Sequence, residues 1–218
     1  VSGQMLTEDY YVANKLAKGF WGTANIETNS RLCMASSVAG HRRAFGSDTV
    51  PGTYEDLELA DLVVLVGSNL AWCHPVLFQR LSAAKAARSA MKVVVVDPRR
   101  TVTCEIADLH LPIVPGGDVA LFNALLAGIE AGGYADAEFL AHVAGAEDAF
   151  AAARATDPAA TGISDSDLRA YIDLWAGTQK VVTVYSQGVN QSSHGTDKVN
   201  AILNCHLATG RIGRPGMG

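Results

Sequence analysis

Two short aliphatic runs, LVVLVG at 62–67 and KVVVVD at 92–97, limit the possible folds more than any other feature of this chain. Neither alternates polar with apolar residues, so neither can lie with one face in water. Their β-branched side chains favour strands, and strands buried on both faces belong to a parallel sheet covered by helices on each side. Two weaker runs, LHLPIV (109–114) and KVVTVY (180–185), extend the pattern. Between them, PVLFQRLSAAKAARSA (75–90) has helical spacing with Pro75 in the first turn. DVALFNALLAGIEAGG (118–133) takes Asp118 as its N-cap and stops at Gly132-Gly133. Further helices are expected around 7–18, 30–45, 54–60, 136–155, 165–176 and 195–210. The predicted architecture is α/β, a Rossmann-like doubly wound, mostly parallel sheet. No repeat or low-complexity linker interrupts it, so residues 1–218 are expected to form one domain. Residues 134–170 read as small surface helices without visible chemistry.

Ligands of such sheets collect at the carboxyl ends of the strands. There the sequence places Gly67-Ser68-Asn69, Asp97-Pro98-Arg99-Arg100-Thr101, Pro115-Gly116-Gly117-Asp118 and Ser186-Gln187-Gly188-Val189-Asn190-Gln191. Each is an ordinary set of turn residues taken singly. Four on one sheet edge point to a nucleotide. An acidic residue closing the second strand, Asp97, suits ribose hydroxyls; Arg99 suits a phosphate. Asp118, if it is not merely an N-cap, can accept two hydrogen bonds from the N–H edge of guanine. The dinucleotide fingerprint G-x-G-x-x-G is absent, which disfavours an NAD-dependent oxidoreductase.

Charge and hydropathy remove other classes. A net charge of −5, with Arg42-Arg43 as the nearest thing to a cationic cluster, argues against nucleic acid as a partner. No apolar run approaches the length of a membrane span, and no signal peptide is recognisable, so the expected location is cytoplasmic. Cys33, Cys73, Cys104 and Cys205 include no C-x-x-C pair, so neither a zinc knuckle nor an iron–sulfur motif is expected here. Most such cysteines are buried and inert. Cys33 differs, because it follows the capping candidates Thr28, Asn29 and Ser30, and a helix start favours negative charge.

In order along the chain, SGQ (2–4), TNSRLCMASSVAG (28–40), GSNLAWCHP (67–75), DPRRT (97–101), PGGD (115–118) and the run from Gly188 to Gly218 resemble the molybdopterin oxidoreductases that bind two molybdopterin guanine dinucleotides. Within that family the chain is most similar to the catalytic subunits of bacterial assimilatory nitrate reductases. The resemblance implies molybdenum bis(molybdopterin guanine dinucleotide) as cofactor and reduction of nitrate to nitrite by oxygen-atom transfer. It puts Cys33 at the molybdenum ligand, and Gln4 and Asn29 near the metal. Gly67, Ser68 and Asn69 fall on a loop around the pyrophosphate. Asp97, Arg99 and Thr101 match a second nucleotide loop, and Gly116, Gly117 and Asp118 a third, near guanine. Gln187, Gly188 and Gln191 match a pterin-contacting loop; His74 shapes the turn before Pro75.

Met34 after the cysteine resembles nitrate reductases, where formate dehydrogenases carry histidine. Arg31, Arg42 and Arg43 are near enough in sequence to Cys33 to draw in nitrate, although Arg42 and Arg43 suit a solvated helix face. Relatives also carry an N-terminal [4Fe-4S] segment and a C-terminal barrel, neither of which this sequence contains. The chain is therefore expected to be a piece of a larger enzyme, inactive alone, working with the remaining domains and an electron-donor protein. A formate dehydrogenase of the same family and a non-catalytic nucleotide-binding domain are the alternatives.

Overall fold

The computed structural model of the chain describes residues 1–3 and 5–218. Four strands, β1 (Leu62–Val66), β2 (Lys92–Val96), β3 (Leu109–Leu111) and β4 (Val181–Tyr185), form one sheet. All three pairings are parallel, in the order β3-β2-β1-β4. The expected doubly wound α/β sheet is present. β3 and β4 are shorter than their aliphatic runs: Pro112 follows β3 at once, and a proline cannot donate to the ladder.

Alternate side chains of the buried strands feed two cores. Leu62, Val64, Val66, Val94 and Val96 pack on one face, and Val63, Leu65, Val93 and Val95 on the other. The second face is closed by helices α4 (Asp56–Leu59), α5 (Leu70–Cys73) and α6 (Pro75–Ala87), through Leu57, Leu70 and Leu81. The first is covered by α7 (Asp118–Ala131), α9 (Ala146–Ala155), α10 (Asp165–Gly177) and α12 (Gly195–Ala208). The short α8 (Ala137–Leu140) and α11 (Gln187–Asn190) complete the loops between them. α12 carries Val199, Ile202 and Cys205 inward, and its buried length ties the sheet to α7.

Three expected helices have different bounds. The segment at 7–18 is α1 (Thr7–Asn14), which runs directly into a π-helix at Lys15–Phe20. The helix expected over 30–45 is broken into α2 (Ser30–Cys33) and α3 (Ala35–Phe45). Met34, at φ −103° and ψ 9°, lies in the sparsely populated bridge between them. The single helix expected over 136–155 is likewise two, α8 and α9. Asp118 does not cap α7. Gly117 occupies that position and Asp118 is the first helical residue, with its side chain turned to another partner. Among the described residues no helix is long and apolar enough to cross a membrane.

Candidate functional site

The four loops meet at the carboxyl edge of the sheet. β1 connects towards β2 and β4 lies on its other flank, so the switch point of the topology falls between β1 and β4, the crevice where open α/β sheets bind ligands. Gly67 and Gly188 touch there: Gly188 donates its N–H to the Gly67 carbonyl at 3.1 Å. A Cβ on Gly67 would sit 2.8 Å from Gly188 Cα, and one on Gly188 would sit 2.7 Å from Gly67 Cα. Gly67 also has φ +53°, where a side chain is strained. The pair leaves a smooth backbone cradle that a phosphate-bearing ligand can approach closely.

A cavity of about 950 Å³ opens over this cradle. Its walls include Gly67, Asn69, Asp97, Arg99, Gly116, Asp118, Gln187 and Gly188, drawn from all four predicted loops. Asp97 is buried and accepts the Arg99 N–H on Oδ1 at 2.8 Å, while the Arg99 side chain stays largely exposed beside it. Asn69 is held by Thr103, whose buried hydroxyl donates to Asn69 Oδ1 at 2.9 Å and accepts from the Ala71 N–H. Ser68 is turned inward, and its Oγ has no hydrogen-bond partner among the described residues. Gly117 is buried below the loop, and Thr101, one residue before a 3-10 turn at Val102–Ile106, stands outside the cavity wall.

A second, more open cavity of about 570 Å³ adjoins it, with Ser192 and Ser193 lining both. Cys33 lies on its wall beside Asn29 and Gln191. The Cys33 N–H donates to the Asn29 carbonyl at 2.9 Å, and Asn29 Oδ1 accepts from the Gly3 N–H, so the cysteine turn is pinned to the N-terminal segment. From the loop after β4, Gln191 Nε2 donates to Cys33 Sγ at 3.0 Å. Its buried neighbour Asn190 donates to the Cys33 carbonyl at 2.9 Å and reaches Met34 Sδ at 3.9 Å. Cys33 thus follows the start of α2 at Ser30, closes that helix and stands just ahead of α3. Among the described residues no group of three His, Cys, Asp or Glu side chains could hold a metal ion.

Gln4 and the side chain of Arg31 lie outside the described residues. Arg42 is exposed, and Arg43 is engaged with Asp197 at 3.1 Å and Asn200 at 3.0 Å, facing α12 rather than the thiol. His74 stands at the N-cap of α6, just before Pro75, and its side chain makes no capping hydrogen bond. Sequence reasoning missed the contact of Asn190 with the Cys33 turn, Ser192 and Ser193, which line both cavities, and Lys198. Lys198 is buried on the cavity wall and ion-paired with Asp118 at 2.6 Å. The signal for it was present: a lysine on the same face of α12 as Ile202, Cys205 and His206 must be buried, and a buried lysine needs a partner.

Four curated nitrate reductases are 40 to 52% identical to this chain. That of Klebsiella oxytoca is 52% identical over 221 residues, covering all of this chain and 25% of the longer protein. An F420-dependent formate dehydrogenase subunit alpha from Methanocaldococcus jannaschii is 34% identical, over all of this chain and 33% of its own length. The chain thus spans about a quarter to a third of the curated relatives it matches. In fold it resembles acetylene hydratase from Pelobacter acetylenicus, with a TM-score of 0.72 at 23% identity, covering 87% of this chain and 26% of that one. The family model for molybdopterin oxidoreductases matches residues 1–218, from the cysteine turn through all four loops of the sheet edge, and the chain belongs to that family.

Proposed function

We propose that this chain is the cofactor-holding core of a nitrate reductase, and that it binds molybdenum as bis(molybdopterin guanine dinucleotide). One observation carries the reading: the order of groups along the sheet edge. From β3 to β4 come Asp118, then Asp97, then the Gly67–Gly188 cradle, then Gln187, and beyond it Cys33. That is the order of base, ribose, pyrophosphate, pterin and metal in such a dinucleotide. Three inter-strand spacings cover roughly 14 Å, a suitable span for an extended ligand.

The donor set fits the group. Cys33 offers one soft thiolate and leaves the other metal positions to the cofactor's own sulfurs. The bare Gly67–Gly188 backbone lies on the cavity wall, where a phosphate-bearing ligand can approach closely. The bound cofactor supplies the two-electron chemistry by which nitrate and two protons become nitrite and water. The chain's part is positional. Gln191 holds the sulfur, Asn190 fixes the backbone carbonyl of Cys33 and the side chain of Met34, and Asp97 with Asn69 presents acceptors along the edge.

The remaining domains of the parent polypeptide would complete the site, and an electron-donor protein would feed it through a [4Fe-4S] cluster carried outside these residues. The cytoplasm is the expected compartment, and the isolated 218-residue chain is expected to be inactive. Metal and nucleotide analysis of the full-length parent tests the reading. Molybdenum should be found, with two GMP released per metal on acid hydrolysis; absence of both would leave a plain nucleotide-binding domain or less. The relative named formate dehydrogenase supports a second reading, which Met34 disfavours. Assaying the parent for nitrate reduction and formate oxidation side by side separates the two.

A further inference from the structure

We infer that Lys198 reads the nucleotide base together with Asp118, an inference that rests on the cleft being a nucleotide site. The Lys198 and Asp118 side chains are 6% and 9% exposed, and what exposure they have is on the wall of the larger cavity. Asp118 Oδ2 is the only partner of the Lys198 ammonium among the described residues, at 2.6 Å. An ammonium carries three N–H donors, and leaving donors of a buried charge unmet is costly.

The charge of the pair selects the ligand. Carboxylate and ammonium together are neutral, so they hold a phosphate poorly; the exposed Arg99 guanidinium on the same cavity suits that. Side by side they form an acceptor next to a donor. The complementary edge has N–H donors beside a carbonyl oxygen, which is guanine: N1–H and the 2-amino group towards Asp118, O6 towards Lys198. Adenine presents the reverse, an amino group towards the ammonium and a bare ring nitrogen towards the carboxylate. Asp118 alone would count donors; with Lys198 the pair also requires the 6-oxo group.

The test uses the full-length parent protein prepared without cofactor, titrated with GMP and with 6-thio-GMP. The thio analogue keeps both N–H donors and replaces O6 by a larger, weaker acceptor. Wild type should bind GMP roughly tenfold or more tighter, the scale of a charge-assisted hydrogen bond. Lys198→Met should weaken GMP and bring the ratio of the two affinities close to one. Because Lys198→Met strands a buried carboxylate, the double variant Asp118→Asn/Lys198→Met removes both charges together and should also give a ratio near one. A ratio near one in wild type, or an unchanged ratio in either folded variant, overturns the inference. If neither variant folds, the wild-type ratio decides. Failure of wild type to bind GMP at all refutes instead the nucleotide reading on which this rests.

Discussion

At the β3 end of the cleft Asp118 and Lys198 are buried and ion-paired, while at the β4 end Cys33 is half-buried and its sulfur is reached by the exposed Gln191. The first end is set by packed elements. Asp118 opens the core helix α7, and Lys198 sits on the buried face of α12. The second is set by hydrogen bonds between short segments: a four-residue helix, a break at Met34 and the loop after β4. On the proposed binding mode, the base end is fixed by tertiary structure before any ligand arrives, and the metal end is completed by what binds there. Damage at the two ends should therefore differ in kind, affecting stability and base choice at one and metal retention and turnover at the other.

Replacing Cys33 by serine in the full-length enzyme should have the largest functional effect. A hydroxyl is a harder and poorer donor than a thiolate, so nitrate turnover should fall below detection while the thermal midpoint hardly moves. Near-wild-type turnover with molybdenum retained would sink the assignment of Cys33. A large loss of stability would show that the metal end is not as separate from the core as its contacts suggest.

Acid should strike away from both ends of the cleft, at the far end of α12. His206 is fully buried, with Nδ1 donating to the Arg211 carbonyl and Nε2 meeting Thr183 Oγ1 on β4. Burial foremost, with the nearby Arg211 charge adding to it, lowers its pKa from 6.5 to about 4, against the opposing hydrogen bond to the Arg211 carbonyl. Between those values the unfolded chain binds the proton and the folded chain does not, so stability should fall as pH drops from about 6.5 towards 4. The loss should approach about 3 kcal/mol, on the linkage of 1.36 kcal/mol per pH unit. Urea titrations of wild type and His206→Gln at pH 7 and pH 5 measure it; equal pH slopes in the two would refute the role of His206.

Gly188→Ala probes the point where the two ends join. Its Cβ would stand 2.7 Å from the backbone of Gly67, so β1 and β4 must part at the cradle. Overpacking of this kind costs about 1–3 kcal/mol. The thermal midpoint of the parent and its released GMP should fall together, and a fall in neither would mean that the two loops can separate freely.

How much of this was legible in the sequence follows the same division. The strands were readable because continuous β-branched runs have few alternatives, and the four loops because turn residues at strand ends mark a sheet edge. The break at Met34 was not, since SRLCMASSVAG holds no proline and its only glycine is the last residue; tertiary contacts from Asn190 hold the kink. Nor was the partner of Asp118, which comes from a helix across the core. Propensity concerns neighbours in sequence, and that pairing exists only once α7 and α12 have packed. The residues the resemblance marked for the pterin also acquired a local task that no motif states: Gln191 holds the sulfur.

Gln191→Leu should give the smallest effect and the finest test of the contrast between the two ends. It removes the single side-chain donor to Cys33 Sγ among the described residues and roughly keeps the volume, and because Gln191 is exposed the fold has little to lose. Partners that orient a metal ligand are typically worth tenfold or more in metal affinity. Molybdenum per protein after prolonged dialysis should therefore fall roughly tenfold relative to wild type, while the GMP to 6-thio-GMP affinity ratio of the apo form stays where it was. If the ratio moved as well, the metal end and the base end would be coupled through the β4 loop, and the division drawn between a preformed base site and a ligand-completed metal site would fail.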